Sequence, residues 1–239
     1  MIEYLEAIDI ELFTFLNGHY NAYFDQFMWL VSSRLAWIPM CLALLYVVFR
    51  NNWRNGLAAL LLIAITITLS DQISSGIIKH AVERLRPTHT EALIPIVHTV
   101  NGYMSGLYGF VSSHAANSFG VAMLLSLLFK NRWLTMLMFL WATILSYSRI
   151  YLGVHFPGDI IGGMIVGLAV ASLLYFLYKK LLATKARLYC TIDCPTSSQI
   201  KFINYSICVN MCGLAVLAAI LCFLKSADNF SSVRFSPCL

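Results

Sequence analysis

Charge is what this chain most lacks. Only 11% of its 239 residues are Asp, Glu, Lys or Arg, where a soluble domain carries about 25%. A globule so short of charge could not cover its surface with polar groups. With 59% hydrophobic residues and a mean hydropathy of +0.75, the composition is that of an integral membrane protein. The same figures exclude intrinsic disorder, a collagen-like fibre and a secreted disulfide scaffold. Acids number 11 and are mostly N-terminal or isolated, which leaves no carboxylate cluster for paired magnesium ions. The 7 cysteines form no C-x2-C pair, so a zinc knuckle is not expected. Neither an internal repeat nor a low-complexity tract is present. The first residues are not expected to be a signal peptide, because Glu3, Glu6, Asp9 and Glu11 stand where one has cations. The net charge of +5 is too diffuse to suggest nucleic acid.

What the chain does have is a series of apolar runs. A hydrocarbon core about 30 Å thick needs roughly 20 apolar residues in a helix. Six stretches qualify or nearly do: Phe27–Phe49, Leu57–Lys79, His114–Lys130, Trp133–Arg149, Asp159–Tyr178 and Phe202–Leu224. The expected fold is all-α, a six-span bundle preceded by an amphipathic helix that lies on the membrane. Residues 1–26 form that interfacial segment, 27–180 the core, 181–201 a loop, and 202–239 an additional span and tail. Arg50, Arg54, Lys130, Arg132, Lys179, Lys180, Lys185, Arg187 and Lys201 fall in three loops on one side. The positive-inside rule makes that side cytoplasmic, with loops 80–113 and 150–158 outside. Cys190 and Cys194 then lie in a cytoplasmic loop and are expected as reduced thiols.

The outer face holds few charges, but they converge. One segment reads Lys79-x6-Arg86-Pro87, another Val111-Ser112-Ser113-His114, and a third Ser148-Arg149-x5-His155-x3-Asp159. A lone cation at a helix end usually snorkels, and a lone histidine is usually structural. Six such groups converging from four spans read instead as a functional site.

These segments resemble the type 2 phosphatidic acid phosphatase family, which shares an active-site core with the vanadium haloperoxidases. The family's motifs are K-x6-R-P, P-S-G-H and S-R-x5-H-x3-D. The first and third match at every defining position; the second has Val111 for proline and Ser113 for glycine. The resemblance covers roughly residues 57–180. It implies that Lys79, Arg86, Arg149, Ser112 and Ser113 bind phosphate, and that His155, His114 and Asp159 are catalytic. In the family the serine hydroxyl and the glycine amide contact phosphate, so Ser113 inherits only the N–H.

Elementary chemistry agrees. A phosphomonoester carries nearly two negative charges, and arginine grips its oxygens two at a time. Phosphoryl transfer depends on positioning and charge stabilisation. Pro157 suits a first helical position, and a helix starting there would favour an anion near His155. Asp159, one turn on, would hold the tautomer of His155 so that its other nitrogen attacks phosphorus. His114 would protonate the leaving oxygen and then activate water. Neither metal nor cofactor is expected, since three fixed cations do the neutralising and the family is metal-independent.

Spans of 17 residues, about 25 Å of helix, fall short of the bilayer core, which places His114 and Arg149 near or below the outer headgroup plane. That depth suits a lipid substrate. Undecaprenyl diphosphate, lipid A phosphate and phosphatidylglycerol phosphate all fit the resemblance, the first being preferred by analogy. The rivals are a non-hydrolytic lipid-phosphate binder or transporter on the same bundle, against which the His155–Asp159 pair speaks, and a vanadate-dependent peroxidase. Lipid phosphate and membrane lipids are the expected partners, at the outer face of a plasma or bacterial inner membrane.

Other polar residues read as structural. Asp71 should orient a cation or neighbouring helix, and Arg34 should anchor at the interface. His80, Arg84, His89 and His98 should be solvated, and Tyr103, Tyr108 and Phe110 should form an interfacial belt rather than a lid. Gly162, Gly163 and Gly167 should permit close helix packing.

Overall fold

The computed structural model describes residues 2–50 and 53–184. The expected sixth span and the loop cations Lys185, Arg187 and Lys201 lie outside the described residues. The described chain is helical: α1 (Ile2–Asn17), α2 (Ala22–Ser32), α3 (Ile38–Arg50), α4 (Trp53–Asp71), α5 (Lys79–Val82), α6 (Ser113–Phe129), α7 (Arg132–Tyr151) and α8 (Pro157–Thr184). No strand occurs among the described residues, and the one β-type pairing is an isolated bridge between Leu85 and Tyr108.

Local chemistry explains the helix ends. Asn21, Ser112 and Asn131 are N-caps whose side chains accept backbone N–H groups of the first turn, which would otherwise lack partners. α6 ends at Lys130, which adopts a left-handed φ of 50°, and Pro157 begins α8.

The central helix is α6, packed chiefly against α8 and then against α7 and α4. Small residues on α8 set the approach: a Cβ at Gly163 would strike the Ser112 carbonyl, and one at Gly167 the Ala116 carbonyl. Backbones in contact replace side-chain interdigitation here, a common solution where lipid removes the hydrophobic drive. On the other flank, Phe119, Leu125, Leu134, Met138 and Trp37 form the main buried cluster. Leu61, Ile65, Leu140, Ile165, Leu173 and Phe176 point outward and are exposed, as lipid-facing residues should be.

α4 and α5 make one rod, Trp53–Val82, which with α7 and α8 is long and apolar enough to cross a membrane. Within it Gln72–Ile78 is π-helical, so Lys79 is rotated from where a regular helix would place it relative to Asp71. α6, at 17 residues, is the shorter apolar helix.

The first expected span is not continuous. Ala22–Ser32 and Leu35–Tyr46 meet at 75°, with Ser33 extended (ψ 136°). Pro39 falls in the first turn of α3, where its missing N–H costs no hydrogen bond. The bent pair counts as a fourth span at most. α7 also runs beyond the expected end to Tyr151, placing Arg149 in its last turn.

The N-terminal helix joins this bundle. Phe13 is buried, its ring 5.3 Å from that of Phe156. Asn17 Nδ2 donates to the carbonyls of His98, Ile150 and Tyr151, which pins α1 to the end of α7.

Candidate active site

The K-x6-R-P segment leaves α5 through Glu83 in a left-handed turn, φ 52°. The chain then runs back along residues 107–109. Arg86 N–H donates to the Leu107 carbonyl at 3.1 Å, and Gly109 N–H to the Arg84 carbonyl at 2.8 Å. Gly109 lies directly over the site, where a Cβ would come within 2.8 Å of Asp159 Oδ2 and 3.3 Å of Arg86 Cγ. The third segment leaves α7 through Gly153, φ +75°, where a Cβ would meet Val97 at 2.6 Å. His155 thereby arrives just before Pro157 opens α8.

These turns bring His155, Asp159 and Arg86 into contact. Asp159 is fully buried. Its Oδ2 faces His155 Nδ1 at 3.2 Å and accepts the Phe156 N–H at 3.0 Å. A proton on Nδ1 donated to this carboxylate leaves a lone pair on Nε2, which accepts from Arg86 Nη1 at 2.9 Å. The same Nη1 donates to the Val154 carbonyl at 2.7 Å. Burial, with Arg86, Arg149 and Lys79 nearby, pushes His155 well below the usual histidine range, so the ring is neutral. Burial also lowers Arg86, to about 10, which leaves it charged at neutral pH.

The other cations are held at intervals around this pair. Lys79 Nζ donates to Ser113 Oγ at 3.0 Å, and Ser75 Oγ lies 2.6 Å from the same oxygen. Arg149, buried, donates to Ser32 Oγ and, at 3.2 Å, to Tyr103 Oη. The Nε–H groups of both Arg86 and Arg149 are buried without an acceptor. The Ser112 hydroxyl caps α6 by accepting the Ala115 N–H at 3.5 Å, and its own N–H donates to the Asp159 carbonyl at 2.9 Å. His114 is exposed to two cavities, one of about 250 Å³ shared with Arg149 and one of about 650 Å³. Among the described residues no group of three His, Cys, Asp or Glu side chains is placed to hold a metal.

Several residues read as bystanders in the sequence belong to this neighbourhood. Arg84 is not a solvated loop residue: its Nη1 lies 2.7 Å from Asp9 Oδ2 and 3.2 Å from Asp159 Oδ1, and its guanidinium covers the Phe156 ring at 4.2 Å. Asp9 Oδ1 also accepts the Gly158 N–H at 2.7 Å, an anion at the start of α8. Tyr103 touches Arg149 instead of serving only as a belt residue, and Arg34, at the α2–α3 break, lines both cavities beside His114. His98 is stacked on Tyr20 and paired with Asp25 at 2.9 Å. Arg84 could have been suspected from its place inside the first motif. Asp9 carried no signal, since only the docking of α1 brings it here.

An imidazole–carboxylate pair thus lies beside the cations Arg86, Arg149 and Lys79 among apolar helices, and family membership makes the chain a phosphoric ester hydrolase of the membrane. The PAP2 superfamily description matches residues 57–183, more than half of the chain, and the chain belongs to that superfamily. It is 42% identical over 185 residues to the lipid A 4'-phosphatase of Bacteroides thetaiotaomicron, spanning 77% of this chain and 82% of that one. The lipid A 4'-phosphatase of Porphyromonas gingivalis is 34% identical over 207 residues, 86% of each chain. The fold resembles the crystal structure of a transmembrane PAP2-type phosphatidylglycerolphosphate phosphatase from Bacillus subtilis, with a TM-score of 0.54, 21% identity, and coverage of 74% of this chain and 87% of that one.

Proposed function

We propose that this protein hydrolyses a phosphate monoester on a membrane lipid, releasing phosphate by way of a phosphohistidine on His155. The observation that carries the reading is the neutral His155 ring, oriented by Asp159, beside two buried arginine Nε–H groups that lack acceptors. Unmatched buried donors are costly, and phosphate oxygens would satisfy both. Arg86 would exchange its bond to His155 Nε2 for a phosphate oxygen, which frees the lone pair as the substrate arrives. Lys79 and Arg149 would complete the grip. Ser112 and Ser113 begin α6, where the N–H groups of the first turn have no intrahelical acceptor.

In the first step a bond forms between Nε2 and phosphorus while the bond from phosphorus to the lipid oxygen breaks, and His114 gives that oxygen a proton. In the second, His114 takes a proton from water, the water oxygen attacks phosphorus, and the P–N bond breaks. Asp159 keeps the Nδ1 proton throughout.

The similarity to two lipid A 4'-phosphatases moves the substrate preference from undecaprenyl diphosphate to a phosphate on a lipid-borne sugar. The site would face the outside of a bacterial inner membrane, opposite the basic loops. Purified protein should release phosphate from such a lipid in EDTA, and a brief incubation with labelled lipid should trap an acid-labile phosphoenzyme. Both signals should vanish in His155→Ala. His114→Ala should turn over poorly yet still form the phosphoenzyme from a substrate with a good leaving group. Normal turnover by His155→Ala would refute the nucleophile, and absence of release across lipid phosphates would favour a binder. A cysteine placed in 88–110, with native cysteines replaced, should react with an impermeant thiol reagent in intact cells; labelling only after lysis would reverse the orientation.

A further inference from the structure

Lys79 ends a polar chain that runs outside the three motifs. Its Nζ donates to Ser113 Oγ at 3.0 Å, Ser113 Oγ lies 2.6 Å from Ser75 Oγ, and Ser75 Oγ reaches Asp71 Oδ1 at 3.5 Å. The two ends fix the direction of this chain. An ammonium only donates and an ionised carboxylate only accepts. Protons therefore point one way throughout: from Lys79 to Ser113, from Ser113 to Ser75, and from Ser75 to Asp71. The hydroxyl proton of Ser113 is committed to Ser75, so phosphate would meet the backbone N–H of Ser113 and not its hydroxyl. Of the three N–H donors of Lys79, Ser113 engages one, and two remain for phosphate oxygens.

Helix geometry aligns the members. Asp71, Ser75 and Lys79 stand four residues apart, and at 3.6 residues per turn each such step would swing about 40° around the rod. From Gln72 to Ile78 the rod is π-helical, and Lys79 N–H closes the last wide turn on the Ser74 carbonyl. The wider turn takes up the swing, so that the three side chains share the side facing Ser113. Such stretches are frequent at functional sites. Charge gives a second reason. A carboxylate in a membrane helix needs a partner, yet among the described residues Asp71 enters no ion pair. Two hydroxyls link it to Lys79 instead. The link requires an oxygen at position 113, where the family motif has glycine and this chain has serine.

We infer that Asp71 and Ser75 are positioning residues that hold the Lys79 ammonium for phosphate by way of Ser113, an inference that rests on the proposed role of Lys79 in gripping phosphate. Ser113 stands at the glycine position to complete this relay.

The test uses the full chain in detergent micelles and two readouts. One is kcat/KM on lipid A phosphate; the other is the rise in Tm that orthovanadate, a phosphate mimic, produces by binding the folded state. Ser75→Ala and Asp71→Asn should each lose about tenfold in kcat/KM and in vanadate affinity, the scale of a hydrogen bond to a charged group. Ser75→Thr, which keeps the hydroxyl, should stay within about twofold of wild type. Ser74→Ala removes a neighbouring hydroxyl that bonds the Ser70 carbonyl and should also stay within about twofold, because it leaves the relay intact. Lys79→Met should lose at least as much as Ser75→Ala. Wild-type behaviour of Lys79→Met refutes its role in binding phosphate, and the inference with it. A loss in Lys79→Met beside wild-type kinetics and vanadate affinity in Ser75→Ala overturns the relay alone, as does an equal loss in Ser74→Ala. If Ser75→Ala does not fold, Asp71→Asn decides by the same two readouts.

Discussion

Replacing Arg84 with methionine tests whether the N-terminal helix steadies the carboxylate behind His155. Methionine keeps apolar length over the Phe156 ring, which the guanidinium covers at 4.2 Å, so the loss is mainly electrostatic. Two charged contacts disappear, one of 2.7 Å to Asp9 and one of 3.2 Å to Asp159. The Asp9 contact is partly exposed, with side chains 19% and 13% accessible, and screening limits it to under about 1 kcal/mol. The Asp159 contact ends on a fully buried oxygen, and a hydrogen bond to such a charge contributes about 1.5–3 kcal/mol. Arg84→Met should therefore cost about 2–3 kcal/mol, or roughly 4–12 °C in Tm at 2–4 °C per kcal/mol for a chain of this size. Its kcat should fall more than its KM rises, because Asp159 touches the imidazole and not the phosphate. Asp9→Asn keeps an oxygen for the Gly158 N–H and should lose under about 1 kcal/mol. Thermal unfolding in micelles and steady-state kinetics on one lipid phosphate give both readouts. Unchanged Tm and kcat in Arg84→Met, or a larger loss in Asp9→Asn, would refute the proposed chain from α1 to the carboxylate.

Ser112→Ala removes the N-cap of α6 and should cost about 1 kcal/mol of stability; Ser113→Ala, which frees Lys79 Nζ from its 3.0 Å acceptor, should change activity without a comparable fall in Tm, and the reverse pattern would exchange their roles. Gly163→Leu drives a side chain into the Ser112 carbonyl and should destabilise by at least about 1–3 kcal/mol while displacing the second motif; wild-type melting would contradict the observed α6–α8 contact. His155 is held neutral below the value near 6.5 of an unfolded histidine, so under that pH the unfolded chain binds a proton that the folded ring refuses. That share of stability is whole above about pH 6.5 and shrinks as pH falls. Tm should decline from pH 7 to 5 in phosphate-free buffer, and His155→Gln should flatten part of the decline; an equally steep slope in the variant would refute the buried neutral ring.

Much of this protein is written locally in its sequence. The helical membrane class follows from composition, since backbone groups in lipid must be satisfied within each span. The order of cations, histidines and carboxylate follows from three short motifs whose spacing spans single turns and helix ends. Asp159 reaches His155 because it stands in the first turn of α8 and its carboxylate folds back over the residues just before that helix, and Gly163 and Gly167 announce a close helix contact. Other features depend on residues far apart in the chain, and no local pattern encodes them. The 75° break at Ser33–Arg34 turns an apparent single span into two helices and carries Arg34 to His114. The π-helical stretch resets the face on which Lys79 lies. Asp9, one of four N-terminal acids, and Asp159, the last residue of the third motif, are 150 positions apart in sequence, and Arg84 joins them only because α1 docks through Phe13 and Asn17. Local spacing determined which groups could do the chemistry; tertiary packing decided which of them meet, because contact at 3 Å is a property of the folded chain.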